Sequence, residues 1–254
     1  IGVNFVKDCI VGKTITIQEL EDEGFKAIFI ASGAGLPNFM NIPGENAVGV
    51  MSSNEYLTRV NLMDASNPES DTPIVKARSV MVVGGGNTAM DSCRTAKRLG
   101  AEVTLVYRRS LEEMPARVEE VKHAQEEDIN FLTLHNPKEY LADENGRVCG
   151  AVLDVMELGE PDESGRRRPQ TTGKTITIEC DQVVVAVGVS PNPLVPNSIE
   201  GLELGRKNTI AVNDGMQSSI PEIYAGGDIV RGGATVILAM GDGRKAALNM
   251  ANAL

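Results

Sequence analysis

The segment that most constrains the fold is Val80–Asp91, VMVVGGGNTAMD, in which three glycines separate an apolar run from a helical pattern. A buried strand, a tight glycine turn and a helix N-terminus form the start of a βαβ unit. Glu102–Tyr107, EVTLVY, is correctly spaced to be the second strand of that unit. Short apolar runs alternate with helical stretches elsewhere, which predicts an α/β protein with a largely parallel, Rossmann-like sheet.

The glycine loop matches the G-x-G-x-x-G/A pattern of dinucleotide-binding sites, with Ala89 in the last position. The predicted cofactor contacts are the residues of the loop and of the first helical turn: Gly84, Gly85, Gly86, Asn87, Thr88 and Ala89. We expect Asn87 and Thr88 at the helix N-cap, beside a diphosphate. The alternative is a glycine-rich turn that binds no ligand.

The end of the second strand reads YRRS, with Arg108 and Arg109 where an NAD site places an acidic residue. Arginine donates hydrogen bonds and cannot accept them from a ribose hydroxyl, whereas a 2′-phosphate requires donors. The pair therefore predicts NADP(H), with Arg117 as a further candidate donor. Two alternatives remain: exposed arginines that only end the strand, or an NADH-specific protein.

A second candidate site lies in EIYAGGDIVRGGATVILAMGDGRK, near the end of the chain. A strand ends at Ala225, Gly226 and Gly227 permit a close turn, and Asp228 can accept hydrogen bonds from hydroxyls. A helix predicted from about Ala234 would direct its positive end toward an electron-rich ligand. An ordinary turn capped by the aspartate is the alternative.

Composition excludes several functions. The net charge of −11 argues against a nucleic-acid surface, and no apolar run is long enough for a membrane span. Four cysteines without a CxxC motif indicate reduced structural thiols of a cytoplasmic protein, and neither a dithiol relay nor a metal site. We interpret Arg166–Arg168, in the polar turn Gly159–Gly173, as a solvated loop tip.

Several motifs together resemble those of the NADPH-oxidising small subunit of glutamate synthase and its relatives, including the NADP-binding subunit of NADH-dependent ferredoxin:NADP oxidoreductase. These motifs are GGGNTAMD, YRRSLEEMPAR, GEPDESGRRRP, AVGVSPNP and YAGGDIVRGGATVILAMGDGRKAA. The resemblance covers nearly the whole chain. It implies a flavoprotein in which an NADPH-binding domain is inserted into an FAD-binding domain.

The resemblance also implies the flavin contacts. Gly227 and Asp228 match the motif that holds the ribityl and pyrophosphate region, and Thr235 and Val236 match the helix start that faces the isoalloxazine ring. Two further glycines match turns after the strands that end in ASG and AVG; these are Gly33 and Gly188.

The implied domains are a later part of the first FAD half (1–50), the NADPH-binding domain with a three-stranded antiparallel meander (51–195) and the C-terminal FAD half (196–254). The family's first glycine fingerprint and cysteine-rich iron–sulfur domain have no counterpart here. We therefore expect a chain that starts inside the FAD domain, with an incomplete FAD site. Iron–sulfur clusters are expected only in a missing domain or a partner.

The expected activity follows from that resemblance. A hydride passes from NADPH to FAD, and the electrons continue to iron–sulfur centres and a larger electron-accepting subunit, with no catalytic side chain required. The alternative is an isolated nucleotide-binding module without activity. Apolar surface exposed by truncation would favour self-association of this chain.

Overall fold

A computed structural model describes residues 2–162 and 165–254. The chain divides into two compact units. The split unit is built from the segments up to Leu36 and from Val189 onward, and the continuous unit is Pro37–Gly188.

The strands and helices alternate along most of the chain. The strands are β1 (Ile28–Ile30), β2 (Leu36–Pro37), β3 (Val50–Ser52), β4 (Ser79–Val83), β5 (Glu102–Tyr107), β6 (Asn130–Thr133), β7 (His135–Ala142), β8 (Val148–Pro161), β9 (Arg167–Glu179), β10 (Gln182–Val185), β11 (Val189–Ser190) and β12 (Ile223–Ala225). The α-helices are α1 (Ile17–Asp22), α2 (Ser53–Leu57), α3 (Asn87–Arg98), α4 (Val118–Glu126), α5 (Leu194–Asn197), α6 (Asp228–Arg231) and α7 (Val236–Ala253). A π-helical turn, Thr58–Leu62, continues α2, and 3₁₀ turns cover Leu111–Glu113 and Arg206–Asn208.

The continuous unit contains a parallel sheet in the order β3–β10–β4–β5–β6. Its central strand β4 is buried on both faces. Val80 and Val82 pack in one apolar cluster with α3, while Met81 and Val83 pack in a second cluster on the opposite face. Two buried faces explain why this strand is apolar at every position after Ser79. The predicted parallel α/β fold is confirmed.

Helix α3 lies on the first cluster through small and apolar side chains at helical spacing. Ala89, Met90, Cys93 and Ala96 are all fully buried. Gly100 then adopts a φ of +94° and its N–H donates to the carbonyl of Lys97, at 2.9 Å, which ends the helix.

The second cluster is covered by the antiparallel meander β7–β8–β9. Tyr140 from β7 and Leu153 from β8 are buried within that cluster. The turn between these strands contains Asn145-Gly146, and the glycine has a φ of +73°. The predicted three-stranded meander is confirmed.

The split unit is built around β1 and β12, which pair in parallel with Ile28 opposite Ile223 and Ile30 opposite Ala225. Strand β1 is apolar at all three positions, yet Phe29 is 36% exposed. Near Ile210 the backbone forms a single antiparallel bridge with Leu204. The β1–β12 sheet has two strands among the described residues.

The compact units also differ from the predicted domain limits of 51 and 195. Met40, Ile42 and Val50 pack against the second cluster, which joins the stretch from Pro37 to the continuous unit. The polar turn predicted over Gly159–Gly173 is mostly strand, because β8 and β9 extend into it. Residues 163 and 164 of that turn, and residue 1 of the predicted first domain, lie outside the described residues.

Candidate functional site

The glycine loop between β4 and α3, here called the cradle, is shaped by close contacts to two strand ends. A side chain on Gly84, whose φ is +144°, would clash with the carbonyl oxygen of Ala186 after β10. A Cβ on Gly85 would lie 2.5 Å from the ring of Tyr107. A Cβ on Gly86 would meet no atom within 4 Å. The first two glycines therefore close the turn, and the third leaves open space in front of the helix.

Helix α3 begins directly at that open space. Its N-cap is Gly86, in extended conformation with φ −91° and ψ 176°. Asn87 and Thr88 are the first two helical residues, so the N-cap position predicted for them was wrong by one residue or more. The first amides of a helix lack intrahelical acceptors, and a glycine N-cap has no side chain to occupy them. They are thus suited to an anionic ligand.

The segment before α4 is fastened to the cradle by two hydrogen bonds. Ala116 N–H donates to the carbonyl of Gly85, at 3.0 Å. Arg117 N–H donates to Oδ1 of Asn87, at 2.9 Å. Arg117 is also the N-cap of α4 and its side chain is exposed. The backbone of Arg117 therefore supports the cradle, while its side chain is exposed to solvent.

The predicted arginine pair follows β5 immediately. Arg108 is exposed. Arg109 is half-buried, and its Nε is buried without a hydrogen-bond partner among the described residues. Its carbonyl accepts from Leu134 N–H, at 3.0 Å, which fixes the backbone there. A buried guanidinium donor without an acceptor is costly, and an anionic ligand would satisfy it.

Tyr107 and Glu113 lie beside the glycine loop and are here called the rim of the cradle. Glu113 forms an ion pair there that the sequence did not indicate. The Tyr107 hydroxyl donates to the carbonyl of Glu113, at 3.0 Å. Arg167 Nε lies 3.2 Å from the carboxylate of Glu113. The interpretation of Arg166–Arg168 as a solvated tip was therefore wrong for Arg167, since tertiary pairing holds its side chain.

The second candidate site is a cleft of about 260 Å³ in the split unit. It is lined by Phe29, Ala31, Gly33, Gly226, Gly227, Asp228, Ala234, Thr235, Val236 and Ala239. Five predicted contacts thus come together there: Gly33, Gly227, Asp228, Thr235 and Val236. Gly188 is instead the last residue of the continuous unit, with φ +103°, and its carbonyl accepts from Asn38 N–H.

The turn in this cleft is held by carboxylates. Asp242, which is 3% exposed, accepts from Gly227 N–H at 3.0 Å and from two nitrogens of Arg231, each at 2.6 Å. The Arg231 hydrogen bond holds the pKa of Asp242 below its ordinary value. Asp228 accepts from Ala234 N–H at 3.1 Å. Sequence reasoning missed Asp242; its only local signal is an acidic residue in the predicted helix.

The thiols do not form a redox pair. All four cysteines are free, and Cys93 and Cys180 are buried. Burial raises the pKa of the Cys93 thiol, and raises that of Cys180 to about 12. Both therefore stay protonated and unreactive at neutral pH.

Two kinds of feature are not found in the part of the chain that the structure describes. It contains no group of three or more His, Cys, Asp and Glu side chains that could hold a metal ion. No helix within residues 2–162 and 165–254 combines the length and apolarity that crossing a membrane requires.

Residues 2–243 match the family model described as pyridine nucleotide-disulphide oxidoreductase. The chain is 38% identical to the NADP(+)-dependent formate dehydrogenase subunit beta of Moorella thermoacetica, covering 98% of this chain and 34% of the relative. It is 36% identical to the NADPH-Fe(3+) oxidoreductase subunit beta of Geobacter sulfurreducens, covering 97% and 39%. It is 34% identical to the glutamate synthase [NADPH] small chain of Escherichia coli, covering 99% and 55%.

The chain therefore spans little more than a third of the first two relatives and about half of the third. Among solved structures, Mycobacterium tuberculosis FprA in complex with NADPH matches with a TM-score of 0.79 at 21% identity, over 96% of this chain and 67% of that one. Thioredoxin reductase of T. acidophilum matches with a TM-score of 0.66 at 22% identity, over 89% and 65%. These likenesses show the fold.

Proposed function

Because this chain belongs to the pyridine nucleotide-disulphide oxidoreductase family, we propose that it binds NADP(H) at the cradle and serves a flavin-dependent oxidoreductase. The observation that carries the proposal is the arginine pair after β5, with an Arg109 Nε that has no hydrogen-bond partner among the described residues. Two guanidinium groups replace the acidic residue of an NAD site and match a 2′-phosphate.

The described residues fit a dinucleotide. The open space at Gly86 admits a diphosphate close to the backbone, and the first amides of α3 are donors for it. Arg108 and Arg109 would hold the 2′-phosphate. When bound, the reduced nicotinamide supplies a hydride and a flavin accepts it. The task of these residues is to bind and orient the nucleotide, and no side-chain acid or base is assigned to the reaction.

We assign the cleft of the split unit to the flavin. Asp228 retains acceptor capacity for hydroxyl groups, because a carboxylate offers about four lone-pair sites and Ala234 N–H uses one. Thr235 and Val236 begin α7 beside it. The site is incomplete in this proposal, since the chain carries one glycine fingerprint and the family's FAD domain has its own.

The electron acceptor belongs to the same proposal. Two relatives are named as beta subunits and one as a small chain, which supports a larger electron-accepting partner subunit. The iron–sulfur centres are assigned to that partner or to a segment outside this chain. The thioredoxin-reductase-like dithiol relay is not favoured, because the two buried thiols have raised pKa values.

A nucleotide-binding module without activity of its own is the second candidate. One observation favours it: the first turn of α7 exposes Val236 by 75% and Ile237 by 81%. Apolar side chains so exposed beside the cleft leave a flavin ring poorly enclosed. An oxidised-flavin absorption band that NADPH bleaches supports the enzyme, and a colourless NADPH-binding protein supports the module.

The arginine assignment is tested by calorimetric affinities for NADP⁺ and NAD⁺. Arg108→Ala and Arg109→Ala should each weaken NADP⁺ binding by roughly 10- to 100-fold, because each removes a charge-assisted contact. NAD⁺ affinity should change little. Arg147→Ala, in the turn between β7 and β8, is the control for removing a positive charge. Equal affinity of the unmodified chain for both nucleotides would contradict the proposal.

A further inference from the structure

The tip of the β8–β9 hairpin is fastened to the rim of the cradle. Arg167, the first residue of β9, lies 3.2 Å from Glu113, whose side chain is only 17% exposed. Glu113 also accepts the Tyr107 hydroxyl through its carbonyl. One residue of the rim therefore holds both the strand end that carries the arginine pair and the hairpin tip.

The backbone of Arg166 is fixed in the same tip. Asp162 Oδ1 accepts from Arg166 N–H at 3.0 Å, and Asp162 N–H donates to the carbonyl of Arg166 at 2.9 Å. Pro161 pairs with Arg167 as the last register pair of the hairpin. Arg166 is thus held between this turn and the Glu113 ion pair, next to the rim.

The strand end and the hairpin tip place three arginines at the same rim. Arg108 and Arg109 directly follow Tyr107, whose hydroxyl donates to the Glu113 carbonyl. Arg166 directly precedes Arg167, the ion-pair partner of Glu113. Burial raises the pKa of the Tyr107 phenol, and the charges of Arg109, Arg108 and Arg166 act against that rise. Among the described residues, Arg167 has a carboxylate partner, but the three cations around Tyr107 have none. An uncompensated cluster of one sign attracts an anion.

We propose that Arg166 is a third cationic contact for the 2′-phosphate of NADP(H), brought to the cradle by the Glu113–Arg167 ion pair. Arg166 is then a specificity-determining residue, and Glu113 a positioning residue. The inference rests on the function proposed above and deepens it. A 2′-phosphate carries about −1.5 to −2 charges at pH 7 and three acceptor oxygens, so it can use a third donor group.

The test compares Arg166 and Arg168, two arginines of the same run, with two small probes. Calorimetry would measure 2′,5′-ADP, which carries the 2′-phosphate, and 5′-AMP, which lacks it. Arg166→Gln should weaken 2′,5′-ADP binding by roughly 3- to 10-fold and leave 5′-AMP unchanged. Arg168→Gln, the matched control in the same run, should change both by less than about 2-fold.

The positioning role of Glu113 is tested by further variants and by the pH dependence of binding. Glu113→Gln and Arg167→Gln should each weaken 2′,5′-ADP binding in the same direction as Arg166→Gln, with circular dichroism unchanged. The advantage of the unmodified chain over Arg166→Gln should shrink as pH falls below about 6, where the 2′-phosphate gains a proton. A purely structural role would affect both probes at all pH values, and that result would overturn the inference.

Different results would contradict the role of Arg166 and the binding of NADP(H) at the cradle. If Arg109→Ala weakens 2′,5′-ADP binding but Arg166→Gln matches Arg168→Gln, the hairpin inference is wrong and NADP(H) binding stands. If the unmodified chain binds 2′,5′-ADP no better than 5′-AMP, the proposed function itself is wrong.

Discussion

The cradle and the cleft both connect a strand to a helix through a glycine turn, but the two turns are stabilised differently. Each follows a parallel strand, turns on glycines and leads into a helix. In the cradle, the turn conformation is fixed by close packing of glycine backbone against Ala186 and Tyr107. In the cleft, the turn conformation is fixed by side chains that accept hydrogen bonds, chiefly Asp242.

This difference decides which ligand groups each site can recognise. The cradle turn uses no side chain at the N-cap of α3, so its amides remain available to an anion. The cleft uses Asp242, Asp228 and Thr235 to accept backbone N–H groups. Carboxylates repel phosphate and accept from hydroxyls. One glycine turn is therefore suited to a phosphate, and the other to hydroxyl-bearing groups.

The largest effect is expected from Gly84→Ala, which tests whether backbone packing orders the cradle. A methyl group at φ +144° would clash with the Ala186 carbonyl, so urea unfolding should show a loss of about 3 kcal/mol or more. Gly86→Ala is the matched control, because its methyl enters open space. It should fold normally but bind NADP⁺ roughly tenfold more weakly. Equal stability of both variants would contradict this account of the cradle.

A smaller effect is expected from Asp242→Asn, which tests whether a carboxylate orders the cleft. Hydrogen exchange at the Gly227 amide should accelerate by roughly tenfold, because a hydrogen bond to a charged acceptor is lost. Asp214→Asn, at an exposed position of the same unit, is the control.

The same carboxylate makes the cleft sensitive to acid. The pKa of Asp242 lies below its ordinary 3.8 in the folded chain, so its stabilising effect is complete above that value. The effect is lost as pH falls through the lower folded pKa. The unmodified chain should show this loss of Gly227 protection in acid, whereas Asp242→Asn should not. Identical acid profiles would count against the carboxylate.

The smallest change on mutation is expected in the alkylation of the buried thiols, Cys93 and Cys180, which report on the continuous unit alone. Exposed Cys9 and Cys149 should be alkylated first, and buried Cys93 and Cys180 at least about 100-fold more slowly. Asp242→Asn should leave the slow phase unchanged, because both slow thiols lie within Pro37–Gly188. Gly84→Ala should accelerate it. A faster slow phase in Asp242→Asn would mean that the two units do not open independently.

The sequence allowed correct prediction of β4, α3 and β5 because the signals for this unit are local. A continuous apolar run, three glycines and the arginine pair lie within Val80–Arg109. The bonds of Asp242 to Gly227 and Arg231 join residues 15 and 11 positions apart, on different elements. The Glu113–Arg167 pair joins residues 54 positions apart. Such pairings depend on tertiary folding, which no local pattern encodes.

The order of the two units along the chain has a consequence for synthesis on the ribosome. Every residue of the continuous unit has been made once Gly188 is added, and its ends meet where Asn38 N–H donates to the Gly188 carbonyl at 3.0 Å. The split unit cannot be complete at that point, because β12 and α7 follow Gly188 in the chain. A unit with adjoining ends can mature first and behave as a portable insert, while its host stays unfinished until β12 and α7 have been made.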